Sequence, residues 1–243
     1  MSNILVTGGA KGLGKEIVKA FLKNGDNVVF TSHNSNINSD ELDVIGGNYI
    51  EVKTELSKEE DINKLVDIAY DELGSVDILI NNASIELDND FENKTKEDFM
   101  KTYEINTVAP FLLSRLIGKR MYDNKKGIII NISSNNSLDK YDSSTCEYDA
   151  SKASLNIITH ALAKEYAPYV RVNTIAPGWI LTERVKSLND SLNNKLVEEE
   201  SKKILLNRFA TCEDITNLIL FLSSDKSSYI NDEIIRIDGG NRW

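Results

Sequence analysis

Short apolar runs alternate with longer stretches in which apolar residues recur every three or four positions. The runs are Ile4-Leu5-Val6, Asn27-Val28-Val29-Phe30, Tyr49-Ile50-Glu51-Val52, Val76-Asp77-Ile78-Leu79-Ile80, Gly127 to Ile132, Val170 to Ile175 and Ile234-Ile235-Arg236-Ile237. Runs of this length and β-branched content predict seven strands. The unbroken isoleucines at 128–130 predict a strand buried on both faces. Between the runs the period changes. Leu13, Ile17 and Phe21 stand at steps of four with Val18 and Leu22 beside them, which predicts an amphipathic helix. Ser57-x-x-Glu60 predicts a capping box ahead of a helix carrying Ile62, Leu65, Val66 and Ala69. Thr95-x-x-Asp98 predicts the start of one long helix reaching about Tyr122, and a further helix spans Glu147 to Tyr166. Thr211-x-x-Asp214 caps a last helix through Leu222.

Strand and helix alternate along the whole chain, and no repeat or linker interrupts them. This predicts an α/β fold, a doubly wound, seven-stranded parallel sheet with helices on both faces, with residues 1–243 forming a single domain. One region breaks the rhythm. Thr182 to Lys203 is polar and carries Asn189, Asp190, Asn193 and Asn194; it reads equally as a substrate lid or as a surface insertion.

Composition narrows the function. The formal net charge is −10, which argues against nucleic acid and anionic membrane surfaces, since both select basic patches. Cys146, Cys212, His33 and His160 show no metal-ligand spacing, so no metal is expected. Apolar runs such as Leu218 to Leu222 are too short to span a bilayer. The first strand begins almost at the N-terminus, leaving no room for a signal peptide. A soluble, cytoplasmic protein is expected.

In a doubly wound sheet the ligand lies beyond the carboxyl ends of the strands, so chemistry is sought there. After the first strand comes Thr7-Gly8-Gly9-Ala10-Lys11-Gly12-Leu13-Gly14. A glycine-rich turn running into a helix N-terminus offers unpaired N–H groups and a positive dipole end to a phosphate. After the fifth strand come Ser133, Ser134, Asn135 and Asn136, and then Tyr148-x3-Lys152. Four residues apart on a helix, the tyrosine and lysine share a face. An ammonium there would stabilise the phenolate, and lowering its pKa by about three units needs roughly 4 kcal/mol. Taken alone, such a pair is more often simply solvated.

Together these features resemble the short-chain dehydrogenase/reductase family, and the likeness runs from about Asn3 to Gly240. Thr7-Gly8-x3-Gly12-x-Gly14 resembles its cofactor loop. Asn81-Asn82-Ala83-Ser84 resembles its Asn-Asn-Ala-Gly, with Ser84 in place of glycine. Arg171-Val172-Asn173-x3-Pro177-Gly178-x3-Thr182 resembles the segment that closes over nicotinamide, and Asp238-Gly239-Gly240 its C-terminal signature. Asp232 stands where the family commonly has glycine.

The resemblance implies a Rossmann-type fold and a hydride-transferring oxidoreductase acting on a small carbonyl or alcohol. Its catalytic residues would be Asn106, Ser134, Tyr148 and Lys152. Tyr148 would give the proton, Lys152 would lower its pKa and hold the ribose, Ser134 would polarise the carbonyl, and Asn106 would place a water. Cofactor contacts would come from Gly8, Gly9, Lys11, Gly12, Leu13 and Gly14, from His33, Glu55 and Leu56, and from Asn82, Ala83 and Ser84. Tyr148 and Lys152 would contribute again, with Pro177, Gly178, Ile180 and Thr182. The second strand ends in Thr31-Ser32-His33-Asn34 without an acid, and Lys11 can act as a point charge. NADP(H) is therefore expected over NAD(H).

The family's usual serine–tyrosine spacing falls on Asn135. The Asn131-Ile132-Ser133-Ser134 segment instead selects Ser134, because a loop absorbs an extra residue more easily than a strand. The general likeness is to 3-oxoacyl-carrier-protein reductases, with Lys119, Arg120, Lys125 and Lys126 as a candidate dock for an acidic carrier. Sugar, polyol, steroid and pteridine substrates are alternatives, and so is a non-catalytic nucleotide sensor. Apolar residues on the helices ending near Tyr122 and Tyr166 predict a homo-oligomer, a tetramer or dimer.

Overall fold

The computed structural model describes residues 1–34, 39–87, 89–139 and 142–241. Seven parallel strands form one sheet: β1 (Asn3–Val6), β2 (Asn27–Ser32), β3 (Tyr49–Lys53), β4 (Ile78–Asn81), β5 (Gly127–Ile132), β6 (Val170–Pro177) and β7 (Ile234–Ile237). Their spatial order is β3-β2-β1-β4-β5-β6-β7. The winding reverses between β1, which pairs Leu5 with Val29 of β2, and β4, which pairs Leu79 with the same Leu5. That reversal opens the crevice in which such sheets bind ligands.

Side chains alternate across the sheet as a period of two requires. Ile4, Val6, Phe30 and Ile80 enter one core with α1 (Gly12–Lys23), and Ile215, Ile219 and Leu222 bring α9 (Cys212–Leu222) into it. Leu5, Val29, Leu79 and Ile129 enter the other core, with α3 (Glu59–Leu73), α5 (Ala109–Asp123) and α6 (Cys146–Tyr166). Leu5 and Leu79 are fully buried, worth about 1.5–3 kcal/mol each against exposure. The remaining helices are the short α2 (Ser39–Asp43), then α4 (Lys96–Tyr103), α7 (Glu183–Ser191) and α8 (Lys195–Ser201).

Two sequence expectations need correction. The helix expected from Thr95 to Tyr122 is two helices, α4 and α5, joined by a π-helical turn at Glu104–Val108. Pro110 explains the break, because its ring removes the N–H that the Asn106 carbonyl would accept from in an α-helix. The Ser57-x-x-Glu60 box does not form either. Lys58 is the N-cap of α3 and no side chain caps it, while the Ser57 N–H and hydroxyl both go to Glu55. The boxes at Thr95 and Thr211 form fully. The Thr182–Lys203 region is α7 and α8, neither with a buried residue.

Candidate active site

The glycine loop is tied down from both sides. The Gly8 N–H donates to Thr31 Oγ1 at 2.9 Å and the Gly9 N–H to the Thr31 carbonyl at 2.8 Å. From β4, the Asn82 and Ala83 N–H groups donate to Thr7 Oγ1, and Asn82 Nδ2 donates to the Thr7 and Gly8 carbonyls. Gly14 must be glycine, since a Cβ there would lie 2.0 Å from the Gly8 carbonyl oxygen. Gly8 itself sits at φ +68° against Ala83.

α1 begins at Lys11 with no side-chain cap and no acid in its first turn. Its free N–H groups therefore face the crevice, the arrangement that binds a phosphate. At the end of β2, Ser32 Oγ is buried and without a hydrogen-bond partner. Both features fit a dinucleotide laid across β1 and β2: the helix start would hold its pyrophosphate and the Ser32 region its adenosine ribose.

The crevice has a volume of about 1020 Å³. It gathers nearly all the cofactor candidates: Gly8, Lys11, Gly12, Leu13 and Gly14, then His33, Glu55 and Leu56, then Asn82, Ala83 and Ser84, and Pro177, Gly178, Ile180 and Thr182. Ser134, Tyr148 and Lys152 line it too. Two expected residues do not. Gly9 lies behind the loop, where its Cα packs on Phe30 with no room for a Cβ. Asn106 is fully buried: its Oδ1 accepts from the Ile85 N–H, and its Nδ2 donates to the Ile85 carbonyl and Ser151 Oγ. Both polar atoms of its side chain are thus engaged within the protein rather than facing the crevice.

The three candidates at the end of β5 separate by direction. Ser134 lines the crevice together with Tyr148, and its hydroxyl favours the Tyr148 phenolate. Ser133 turns inward to the Lys152 carbonyl at 3.2 Å and to Ser137 at 3.0 Å. Asn135 is buried and reaches Asp238. Lys152 Nζ donates to the Ile132 carbonyl at 2.8 Å and lies 5.7 Å from the centre of the Tyr148 ring. Burial pushes the Lys152 ammonium down to about 7.

Tyr148 departs from the sequence expectation. Burial pushes its hydroxyl above the usual phenol range, the Glu86 carboxylate adds to the rise, and the nearby Ser134 hydroxyl offsets only part of it. Lys152 does not reverse this, because burial disfavours its own charge and one of its N–H groups is taken by the Ile132 carbonyl. Tyr148 is thus a protonated phenol at neutral pH, the form a proton donor needs.

Sequence reasoning missed the supports around Tyr148. Lys94 and Glu147 form an ion pair of 2.7 Å with side chains 3% and 0% exposed, and Lys94 Nζ also donates to the Leu87 carbonyl at 2.8 Å. On the other side, Asp149 Oδ1 accepts from Asn136 Nδ2. Flanking acids in the first turn of a helix were the available signal. Crevice residues outside the recognised motifs were missed as well, among them Ser32, Ile85, Met100 and Arg184. At the adenosine end, His33 Nε2 lies 2.8 Å from Glu55 Oε2, and Glu55 also takes two bonds from Ser57.

With a nucleotide crevice at the switch point and a Ser-Tyr-Lys cluster at its floor, the class is a dinucleotide-dependent oxidoreductase. The profile of a family described as enoyl-(acyl carrier protein) reductase matches residues 8–242. A 3alpha-hydroxysteroid dehydrogenase of Mediterraneibacter gnavus is 34% identical, over 98% of this chain and 96% of that protein. A 3-oxoacyl-[acyl-carrier-protein] reductase of Aquifex aeolicus is 33% identical, over 97% and 95%. Among solved structures, ElxO with NADP bound superposes with a TM-score of 0.91 at 27% identity, covering 99% of this chain and 98% of that one. The chain belongs to the short-chain dehydrogenase/reductase family and is an oxidoreductase acting between alcohol and carbonyl with a nicotinamide dinucleotide. Among the described residues, no helix is long and apolar enough to cross a membrane.

Proposed function

We propose that this protein is an NADP(H)-dependent reductase of a small ketone, working in reverse on the corresponding secondary alcohol. The observation that carries the reading is that Ser134, Tyr148 and buried Lys152 line the same crevice as the glycine loop. Bound nicotinamide supplies or accepts the hydride. The residues do the rest. Ser134 Oγ accepts the Asn136 N–H at 3.2 Å, which leaves its own proton for a substrate oxygen. Tyr148, protonated and lining the same crevice, gives that oxygen its proton. Lys152 would hold the nicotinamide ribose. A water on the Asn106 carbonyl would link Lys152 to solvent. A sensor has no need of this arrangement, so the non-catalytic reading recedes.

NADP(H) is favoured by three features around the adenosine ribose. β2 ends in Ser32-His33 with no acid of its own, Lys11 borders the crevice, and the orphaned Ser32 hydroxyl awaits a partner. Glu55 is near, but its carboxylate is taken up by His33 and Ser57.

A free small substrate is favoured over a carrier-bound one. Three of the four cations that would dock an acidic carrier are paired with acids, Lys119 with Asp123, Arg120 with Asp67 and Lys126 with Asp77, while Lys125 lies over the Tyr169 ring. Hydroxysteroid and 3-oxoacyl relatives bracket the choice. The test is NADPH oxidation against hydroxysteroid-type ketones, sugars and 3-oxoacyl thioesters. Turnover of only the carrier-linked thioester would overturn the substrate reading, and no turnover of any ketone would overturn the enzyme reading.

A homo-oligomer, dimer or tetramer, is part of the proposal. Val108 and Phe111 on the α5 side and Ile157 on α6, the last 69% exposed, leave apolar surface on these two helices. Light scattering showing a monomer at micromolar concentration would contradict it.

A further inference from the structure

We propose that Asp149 is a positioning residue for Ser134, acting through Asn136; the proposal rests on the catalytic reading of Ser134 and Tyr148 given above. Residues 147, 148 and 149 stand 100° apart around α6, so the acids project to opposite flanks of Tyr148. Glu147 takes one flank and fastens the segment after β4 through Lys94. Asp149 takes the other and fastens the segment after β5, the one that carries Ser134.

Two hydrogen bonds make the connection. Asn136 Nδ2 donates to Asp149 Oδ1 at 3.0 Å. The Asn136 main-chain N–H donates to Ser134 Oγ at 3.2 Å. Ser134 and Tyr148, the residue before Asp149 in the helix, line the same crevice. Asn136 thus bridges Asp149 to Ser134, and without Asp149 nothing in this bridge would fix the orientation of the Asn136 peptide.

That orientation matters because a serine hydroxyl rotates freely about its Cα–Cβ and Cβ–Oγ bonds. An N–H fixed on one lone-pair side of Oγ turns the proton toward the crevice and Tyr148. A carboxylate does this better than a neutral group. Asp149 is buried, and its second oxygen accepts from the Asp142 N–H and from Thr145 Oγ1, each at 3.2 Å. Burial pushes its carboxyl above the ordinary aspartate range while these donors pull it back. Ser137 and Asn135 also anchor this segment, through Asn156 and Asp238, but neither reaches Ser134 Oγ.

The test is a double-mutant cycle read as kcat, KM and NADPH affinity. Asn136→Ala keeps the main-chain N–H and removes the tether. It should lower kcat about tenfold, with KM for the ketone and NADPH binding changed less than about threefold, as for a displaced catalytic group. In a Ser134→Ala background the same substitution should change kcat less than about twofold, because there is no hydroxyl left to orient. The reciprocal pair Asn136→Asp with Asp149→Asn moves the carboxylate across the contact and should recover at least half of the kcat lost in Asp149→Asn. It also guards against a variant that merely folds poorly. Equal losses in both backgrounds, wild-type kcat in Asn136→Ala, or no recovery in the pair would overturn the proposal while Ser134→Ala remains impaired. Wild-type kcat in Ser134→Ala would instead overturn the catalytic reading, and this proposal with it.

Discussion

Replacing Lys94 by methionine should destabilise this protein far more than removal of an ordinary surface charge. The stem is replaced by one of similar length, so packing is nearly conserved, but the Glu147 carboxylate is left with no cation. Glu147 is completely buried and Lys94 nearly so, with a 2.7 Å contact between them. Taking one partner from a buried pair leaves an uncompensated charge and costs about 3–5 kcal/mol. The Leu87 carbonyl, which also loses its donor, belongs to the same loss. Against a total stability of about 5–15 kcal/mol this is a large fraction. An exposed pair such as Lys119–Asp123, with both side chains more than half exposed, sets the contrast at about 0–1 kcal/mol. Urea unfolding at fixed protein concentration measures the difference, with the slope checked for two-state behaviour. Lys94→Met should lower the unfolding free energy by about 3–5 kcal/mol, Lys119→Met by under about 1. Lys94→Met with Glu147→Gln should regain most of the loss, since the stranded charge is gone. A loss for Lys94→Met no larger than that for Lys119→Met, or a double variant as weak as the single, would refute the reasoning.

Lys11→Ala should weaken NADPH binding more than NADH binding, about tenfold in the ratio for a lost phosphate charge of roughly 1.4 kcal/mol; equal losses by fluorescence titration would remove Lys11 from cofactor choice. In the reduction direction, kcat/KM should be level below pH 7 and fall above it, because Lys152 loses its proton at about 7. A profile level to pH 9 would contradict that assignment. Arg208 and the Thr211 N–H hold the Asp214 carboxyl well below the usual carboxylate range. A depressed acid stabilises the fold above its unfolded pKa and loses that contribution as pH falls. The stability gap between the protein and Asp214→Asn should therefore be widest at neutral pH and close below about pH 4. A gap that widens on acidification would reverse the sign.

The strands were legible because each is a short apolar run and a parallel sheet buries both faces. The glycine loop was legible because its spacing answers a local steric demand, seen at Gly14 against the Gly8 carbonyl. Two capping boxes were local patterns, and they formed. The third failed because Ser57 found a nearer acceptor in Glu55, a competition that the four-residue pattern does not contain. The split between α4 and α5 was written at Pro110, which removes a donor from a helix otherwise well patterned. Asp232, noted only as an oddity, sits at φ +67° and pairs with His160, so the position asks for a left-handed conformation that glycine or aspartate can supply.

What stayed hidden depends on contacts between distant residues. Lys94 and Glu147 are 53 positions apart, and a charged pair in sequence reads as solvent-facing until the fold closes over it. The direction of the Tyr148 pKa was hidden for the same reason. The Tyr-x3-Lys spacing suggests an ammonium acting on a phenol, while burial, a property of the whole fold, outweighs it. The case for Ser134 over Ser133 and Asn135 rests on which way three consecutive side chains point at the end of a strand, which no count along the chain contains.

The most direct test of the account is turnover by the protein and by its Tyr148→Phe variant, each with saturating NADPH and the best ketone of the panel. The variant keeps the ring and loses only the proton. The account predicts that the protein oxidises NADPH in step with alcohol formation. It predicts that Tyr148→Phe binds NADPH normally yet turns over about a hundred to ten thousand times more slowly, the contribution expected of a proton donor. A Tyr148→Phe variant within about threefold of the unaltered protein would contradict it, because the proton would then come from somewhere other than the group that defines the site.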